Sequence, residues 1–142
     1  MKRGLLMIAL AAVVVSGCSK DSGSPTAPSV NVPFSTVDLR VGTGAEATSG
    51  RSAQVNYTLW LYSTSGTDNK GSQIQAGTIP SFVVGSNQTI TGFSQGVTGM
   101  RVGGLRRIII PPSLAYGNNP PPNSGIPQNA TLIFEVELLA VQ

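Results

Sequence analysis

Two segments of this chain place apolar residues at every second position, and this alternation limits the fold more than any other feature. They run from Ala53 to Tyr62 and from Thr131 to Val141. Successive side chains of a β-strand point to opposite faces, so a period of two predicts strands with one buried face. The residues expected on the buried faces are Val55, Tyr57, Leu59 and Leu61 in the first strand, and Leu132, Phe134, Val136 and Leu138 in the second.

Shorter segments predict further strands. Leu105–Ile110 becomes fully apolar and ends at Pro111-Pro112, because proline cannot donate a hydrogen bond to a sheet. Ser35–Arg40 and Ser81–Val84 are also expected to be strands, each followed by glycine-containing sequence.

Only the stretch from Thr91 to Met100 predicts a helix, because Phe93, Val97 and Met100 would form one apolar stripe. The polar segment 63–77 is expected to be a long connection, and the proline-rich segment 118–128 a loop. One short helix with five or six antiparallel strands predicts an α+β domain.

The composition excludes several kinds of site. The chain has no histidine and one cysteine in 142 residues. This excludes Ser/His and Cys/His catalytic pairs, histidine-ligated metals and an internal disulfide. Lys2 and Arg3 fall in a segment that we expect to be removed, which leaves seven basic and six acidic residues from Cys18 onward. Such a small net charge gives no reason to expect a nucleic-acid partner.

The first 17 residues are expected to be a secretory signal. A basic start precedes an unbroken apolar run of eleven residues, 5–15, which is shorter than the roughly 20 residues of a spanning helix. Small residues then precede Cys18, as in V-S-G-C, which resembles the bacterial lipobox. That resemblance implies cleavage before Cys18 and its lipidation. The alternative is an ordinary signal peptide with an incidental cysteine.

Residues 18–34 are expected to form the lipidated start and a flexible tether, because the segment is rich in Ser, Pro and Gly. A proline-rich recognition motif is the alternative. The domain itself is expected at 35–142. A lipid anchor predicts attachment to the bacterial cell envelope, at the outer membrane in a Gram-negative host.

Several motifs, in their order and spacing, resemble the FKBP-type peptidyl-prolyl isomerases over residues 37–141. They are V-N-Y-T at 55–58, F-V-V-G at 82–85, T-I-T-G-F-S-Q-G-V-T-G-M at 89–100, A-Y-G at 115–117 and the final strand. The resemblance implies an antiparallel sheet wrapped around a short helix, with a ligand pocket between them. It also implies isomerisation of X–Pro bonds without a cofactor or a metal.

The resemblance implies five catalytic residues in this pocket. Ile90 would offer its backbone N–H to a carbonyl of the ligand, and Phe93 would form the aromatic floor. The hydroxyl of Tyr116 would reach the amide carbonyl beside the proline ring. Tyr57 and Phe134 would form walls, although both also suit a purely structural role on the buried face of a strand.

Four further positions are expected to bind substrate: Ile74, Gln75, Phe82 and Ile126. Ile126 matches an apolar flap contact of the family. Ile74 and Gln75 stand where relatives commonly carry a pocket phenylalanine and an aspartate, and Pro80 stands where they carry another phenylalanine. These departures predict an isomerase of reduced activity.

The resulting expectation is a lipid-anchored, monomeric isomerase that acts on X–Pro bonds of exported proteins and assists their folding. Its partners would be proline-containing polypeptides and a membrane. Two alternatives stay open. One is a non-catalytic chaperone or peptide-binding module with a degenerate pocket, and the other is a structural surface lipoprotein without a ligand.

Overall fold

A computed structural model describes residues 31–142 of the chain. Its five strands form one antiparallel sheet in the order β1-β4-β5-β2-β3. This confirms the predicted α+β class. The elements are β1 (Ser35–Arg40), β2 (Ser52–Tyr62), β3 (Lys70–Val83), α1 (Thr91–Val97), β4 (Leu105–Ile110) and β5 (Leu132–Val141), with short 3-10 turns at Thr67–Asn69 and Pro112–Leu114.

The two alternating segments are the neighbouring strands β2 and β5, each paired on both sides. Their predicted apolar faces lie on the side of the sheet that packs against α1, which we call the inner face. Ile133, on the outer face, is also fully buried. It pairs with Trp60 on one side and Ile109 on the other, so the outer face has an apolar patch of its own.

Helix α1 is shorter than the sequence predicts. It ends at Val97, because Thr98 is extended and Gly99 has a φ of +83°. The apolar stripe is nevertheless in the core, with Phe93, Val97 and Met100 all at most 2% exposed. The turn that follows α1 therefore places Met100 in the core, where the predicted longer helix would have placed it.

The predicted long connection at 63–77 is wrong. A turn ends at Asn69, and β3 then runs continuously from Lys70 to Val83, absorbing the short strand expected at 81–84. The sequence of β3 shows no alternation of apolar and polar residues, because β3 is an end strand of the described sheet and most of its side chains are exposed. Pairing with β2 fixes its structure, and Thr78 Oγ1 donates to Asn56 Oδ1 at 2.6 Å across the two strands.

The expected secretory signal 1–17, Cys18 and most of the expected tether lie outside the described residues. Residues 31–34 precede β1 without regular structure, and Phe34 packs against the core. Over 31–142, no helix has the length and apolar character needed to cross a membrane.

Candidate functional site

A pocket of about 480 Å³, including its open mouth, lies between the inner face of the sheet and the start of α1. Strands β2, β3 and β5 supply one side, and the segment that leads into the helix supplies the other. The lining residues are Tyr57, Leu59, Gln75, Ile79, Gln88, Thr89, Ile90, Phe93, Tyr116 and Phe134.

Four aromatic rings meet at the floor of this pocket, with Phe93 at their centre. The Phe93 ring lies 5.1 Å from that of Phe134 and 6.3 Å from that of Tyr57, both in edge-to-face geometry. Phe82 lies 5.6 Å from it on the far side. Such edge contacts suit aromatic rings and hold Phe93 in one orientation. The floor is therefore rigid and apolar.

The start of α1 positions the polar groups of the site. Ile90 is the extended residue before the helix, and its carbonyl accepts the N–H of Phe93 at 3.1 Å. The Ile90 N–H itself makes no hydrogen bond to another described residue. It lies in the pocket lining and is available to a ligand carbonyl.

Tyr116 follows the turn Pro112–Leu114 and is only partly exposed at the pocket. Burial raises the pKa of the Tyr116 hydroxyl above its ordinary value, and the neighbouring Tyr57 raises it further. A tyrosine hydroxyl is protonated at physiological pH even without this shift, so Tyr116 can donate a hydrogen bond into the pocket.

The structure brings together six of the nine residues that the sequence placed in the site. They are Tyr57, Gln75, Ile90, Phe93, Tyr116 and Phe134.

The other three predicted residues do not line the pocket. Phe82 is 2% exposed and supports Phe93 from behind. Ile74 and Ile126 are partly buried and pack against the core instead. The register between β2 and β3 shifts at Ile74, which lies between the paired residues Gln73 and Gln75. This irregularity separates its side chain from that of Gln75, which does reach the lining.

Four lining residues were missed from the sequence. Leu59 shares the inner face with Tyr57, so the strand alternation could have found it. Ile79 lies between the predicted connection 63–77 and the predicted strand 81–84, where the sequence analysis assigns no element. Gln88 and Thr89 lie in the loop before α1 and carry no sequence signal of their own.

Gln88 and Thr89 add polar groups to the lining. The Val83 N–H donates to Gln88 Oε1 at 2.7 Å, which fixes that side chain. Thr89 Oγ1 is buried and has no hydrogen-bond partner among the described residues.

None of the lining residues carries a charge. Within residues 31–142, no group of three or more His, Cys, Asp or Glu side chains is arranged to hold a metal. An uncharged, aromatic pocket with a free N–H and a phenolic hydroxyl suits a neutral amide attached to an apolar ring.

Comparison with known sequences gives consistent matches. Residues 44–139 match the family model of the FKBP-type peptidyl-prolyl cis-trans isomerases. An FK506-binding protein of Neisseria meningitidis serogroup B is 42% identical over 106 residues, which are 73% of this chain and 92% of that protein. The chloroplastic peptidyl-prolyl cis-trans isomerase FKBP16-4 of Arabidopsis thaliana is 40% identical over 74% of this chain.

The chain spans 46% of that chloroplastic relative and 24% of FK506-binding protein 3 of Candida albicans, which is also 40% identical. Among solved structures, FkpA from Escherichia coli matches with a TM-score of 0.61 and 30% identity, over 77% of this chain and 48% of FkpA. AtFKBP13 matches with a TM-score of 0.63 and 27% identity, over 77% of this chain and 93% of that one.

Proposed function

The chain belongs to the family of FKBP-type peptidyl-prolyl cis-trans isomerases, and on that basis we propose that it catalyses rotation about X–Pro peptide bonds of polypeptides. The observation that carries the proposal is the rigid aromatic pocket around Phe93, which is open to solvent and lined without charge. A pyrrolidine ring is apolar and small enough for such a cavity.

The chemistry needs no proton transfer to the protein. Amide resonance sets a barrier of about 18–20 kcal/mol to rotation. In an X–Pro bond the two isomers are close in free energy, so both are populated but exchange within tens to hundreds of seconds. The twisted amide loses conjugation and becomes less polar. When a proline ring fills this uncharged, largely aromatic pocket and displaces its water, the pocket favours the twisted form over the planar one and so lowers the barrier.

Two groups can hold the substrate while its amide turns. The free N–H of Ile90 would bind a substrate carbonyl and fix the chain on one side of the bond. The Tyr116 hydroxyl, which is protonated at neutral pH, would donate to the carbonyl next to the proline ring. Gln75 is neutral where relatives commonly carry an aspartate, so we propose reduced rather than absent activity.

A proline-containing tetrapeptide assay tests this function. Replacing Tyr116→Phe removes one hydrogen bond to substrate and should lower kcat/KM about 3- to 10-fold. Phe93→Leu removes the aromatic floor and should lower it at least as much. Tyr62→Phe, at the end of β2 and outside the pocket, is the matched control and should leave the rate unchanged.

A second candidate function is peptide binding without catalysis. It is favoured by Gln75 and by Pro80, which is exposed on β3 and contributes no aromatic surface to the pocket. The same assay separates the two. A rate equal to the uncatalysed rate at micromolar protein, together with binding of the peptide, would establish the second function.

We also propose that the protein is held at the bacterial cell envelope by lipid on Cys18 and serves exported polypeptides as a monomer. The V-S-G-C sequence and the apolar run before it support the anchor. Labelling with radioactive palmitate should mark the parent protein, and Cys18→Ser should abolish both the label and recovery in the membrane fraction.

A further inference from the structure

The edge of β3 next to the pocket is open for a short stretch. Within residues 31–142, β3 is an end strand, so one side of it has no neighbour in the described sheet. Gln75 and Ile79 of this strand line the pocket, and the three residues between them are all exposed. We call residues 76–78 the edge window. It lies directly beside the pocket mouth.

The hydrogen-bond pattern shows which backbone groups of the window are free. The N–H groups of Ser52 and Tyr62 donate to carbonyls at the two ends of β5, Gln142 and Thr131. Bonding in an antiparallel sheet alternates between sides. Even-numbered residues of β2 therefore bond to β5, and odd-numbered residues bond to β3.

The partners of Tyr57 and Leu59 in β3 are Gly77 and Gln75. These two partners use their N–H and C=O groups toward β2. The alternating residues Ala76 and Thr78 therefore direct their N–H and C=O groups away from β2, toward the free edge.

The edge of β3 is restricted toward its end and has a loop close to it toward its start. Toward the end of β3, the Val83 N–H is bonded by Gln88 and Pro80 has no N–H to offer. Toward its start, the loop 118–128 comes close, since a methyl group added at Gly125 would lie 3.7 Å from Ile74 Cδ1. The window lies between these two features, directly beside the pocket.

The window also lacks the usual protection of an edge strand. Natural edges are commonly guarded by charged side chains, above all lysine. No charged residue occurs between Lys70 and Arg101, and the window itself reads A-G-T. A backbone strand can therefore approach without meeting a bulky or charged side chain.

We propose that the edge window binds the polypeptide substrate as an added β-strand while its X–Pro bond occupies the pocket. This rests on the proposed isomerase function and defines its substrate class. The occupant is an extended segment of an unfolded chain next to proline, held through backbone hydrogen bonds to Ala76 and Thr78 and hence with little dependence on its sequence. Long unfolded chains should be better substrates than tetrapeptides.

Two variants of the full-length protein test the window. Ala76→Pro removes the free N–H at an edge position where proline is tolerated. Ala76→Lys adds a charged side chain of the kind that prevents strand pairing at natural sheet edges. The measurement is kcat/KM on a tetrapeptide and on an unfolded reporter protein whose refolding is limited by one prolyl isomerisation. In each variant, kcat/KM on the reporter protein divided by kcat/KM on the tetrapeptide should fall about tenfold. This is the effect expected from the loss of one or two hydrogen bonds.

Thr36→Lys is the matched control. It adds the same charge to an exposed position of β1, the strand at the opposite end of the sheet, and should leave the ratio unchanged. An unchanged ratio in both Ala76 variants would overturn the proposal. So would self-association of the parent protein that Ala76→Lys abolishes, since the window would then bind a second copy.

Amide hydrogen exchange of the parent protein decides the question even where a variant fails to fold. Binding of a permanently unfolded, proline-containing polypeptide should slow exchange at Ala76 and Thr78, whereas a tetrapeptide should not. Exchange at both amides that is the same with and without the polypeptide contradicts the window. Absence of catalysis on the tetrapeptide would instead contradict the proposed isomerase function, and the exchange measurement would still report on the window.

Discussion

At the scale of single residues, the site depends on groups that stay neutral. Burial, followed by the influence of Tyr57, raises the pKa of Tyr116 in the pocket lining. An ordinary tyrosine titrates near pH 10. The donor hydroxyl is therefore kept throughout the physiological range, and none of the other lining residues carries a charge that could titrate near neutral pH.

We predict that isomerase activity is independent of pH from about 5 to 9. The measurement is kcat/KM on a tetrapeptide after subtraction of the uncatalysed rate. A bell-shaped profile with a limb in this range would contradict the neutral pocket.

The raised pKa of Tyr116 also determines how the free energy of unfolding changes with pH. Below about pH 10 the Tyr116 hydroxyl is protonated in both the folded and the unfolded chain, so its titration has no effect. At higher pH the unfolded chain loses the proton more readily, because the raised pKa belongs to the folded state. The contribution of Tyr116 to the free energy of unfolding therefore falls as pH rises above about 10.

At the scale of elements, α1 depends on two glycines that let it approach the sheet. Glycine lowers helix propensity by about 1 kcal/mol relative to alanine. At Gly96, however, a β-carbon would lie 2.4 Å from Cδ1 of Ile108, which is fully buried in β4. Gly92 meets Ile110 in the same way at 2.3 Å. Close packing, not propensity, selects glycine here.

Gly96→Ala should therefore destabilise the fold by about 1–2 kcal/mol, because the clash with Ile108 exceeds the gain in helix propensity. Urea unfolding measures this change in free energy. Gln95→Ala, at an exposed position of the same helix, is the control and should lie within about 0.5 kcal/mol of the parent. A stabilising effect of Gly96→Ala would show that α1 can move away from β4.

At the scale of the whole molecule, an ion-pair network ties distant segments together across the outer face. Glu135 of β5 contacts Arg107 at 2.9 Å and Lys70 at 2.5 Å, and its side chain is 18% exposed. Arg107 also reaches Asp68, and the Lys70 ammonium lies 4.3 Å from the Trp60 ring centroid. The network fixes the start of β3, the strand that carries one rim of the pocket.

Glu135→Gln leaves two partly buried cations without their carboxylate and should cost about 1–3 kcal/mol of unfolding free energy. Glu137→Gln is the matched control on the same strand. Glu137 is 39% exposed and pairs with Arg40, which is 54% exposed, so its loss should cost at most about 1 kcal/mol. Equal losses in the two variants would contradict a special role for the network.

The sequence alone determined the elements that show a hydrophobic periodicity and the site residues that lie in motifs of the family. Alternation predicted β2 and β5, an apolar stripe predicted the buried face of α1, and the family motifs predicted Ile90, Phe93 and Tyr116 in the pocket. A strand with one buried face can be recognised from its own sequence, because apolar residues that face the core alternate with polar residues that face solvent.

The tertiary structure alone decided the rest, because the signal lies in a partner segment and not in the residues themselves. β3 is polar and is a strand only because β2 pairs with it, so its continuity, its free edge and the lining residue Ile79 follow from that pairing. Gln88 and Thr89 join the site because the loop before α1 folds over the same strand. Contacts between segments far apart in the chain leave no local pattern from which they could be predicted.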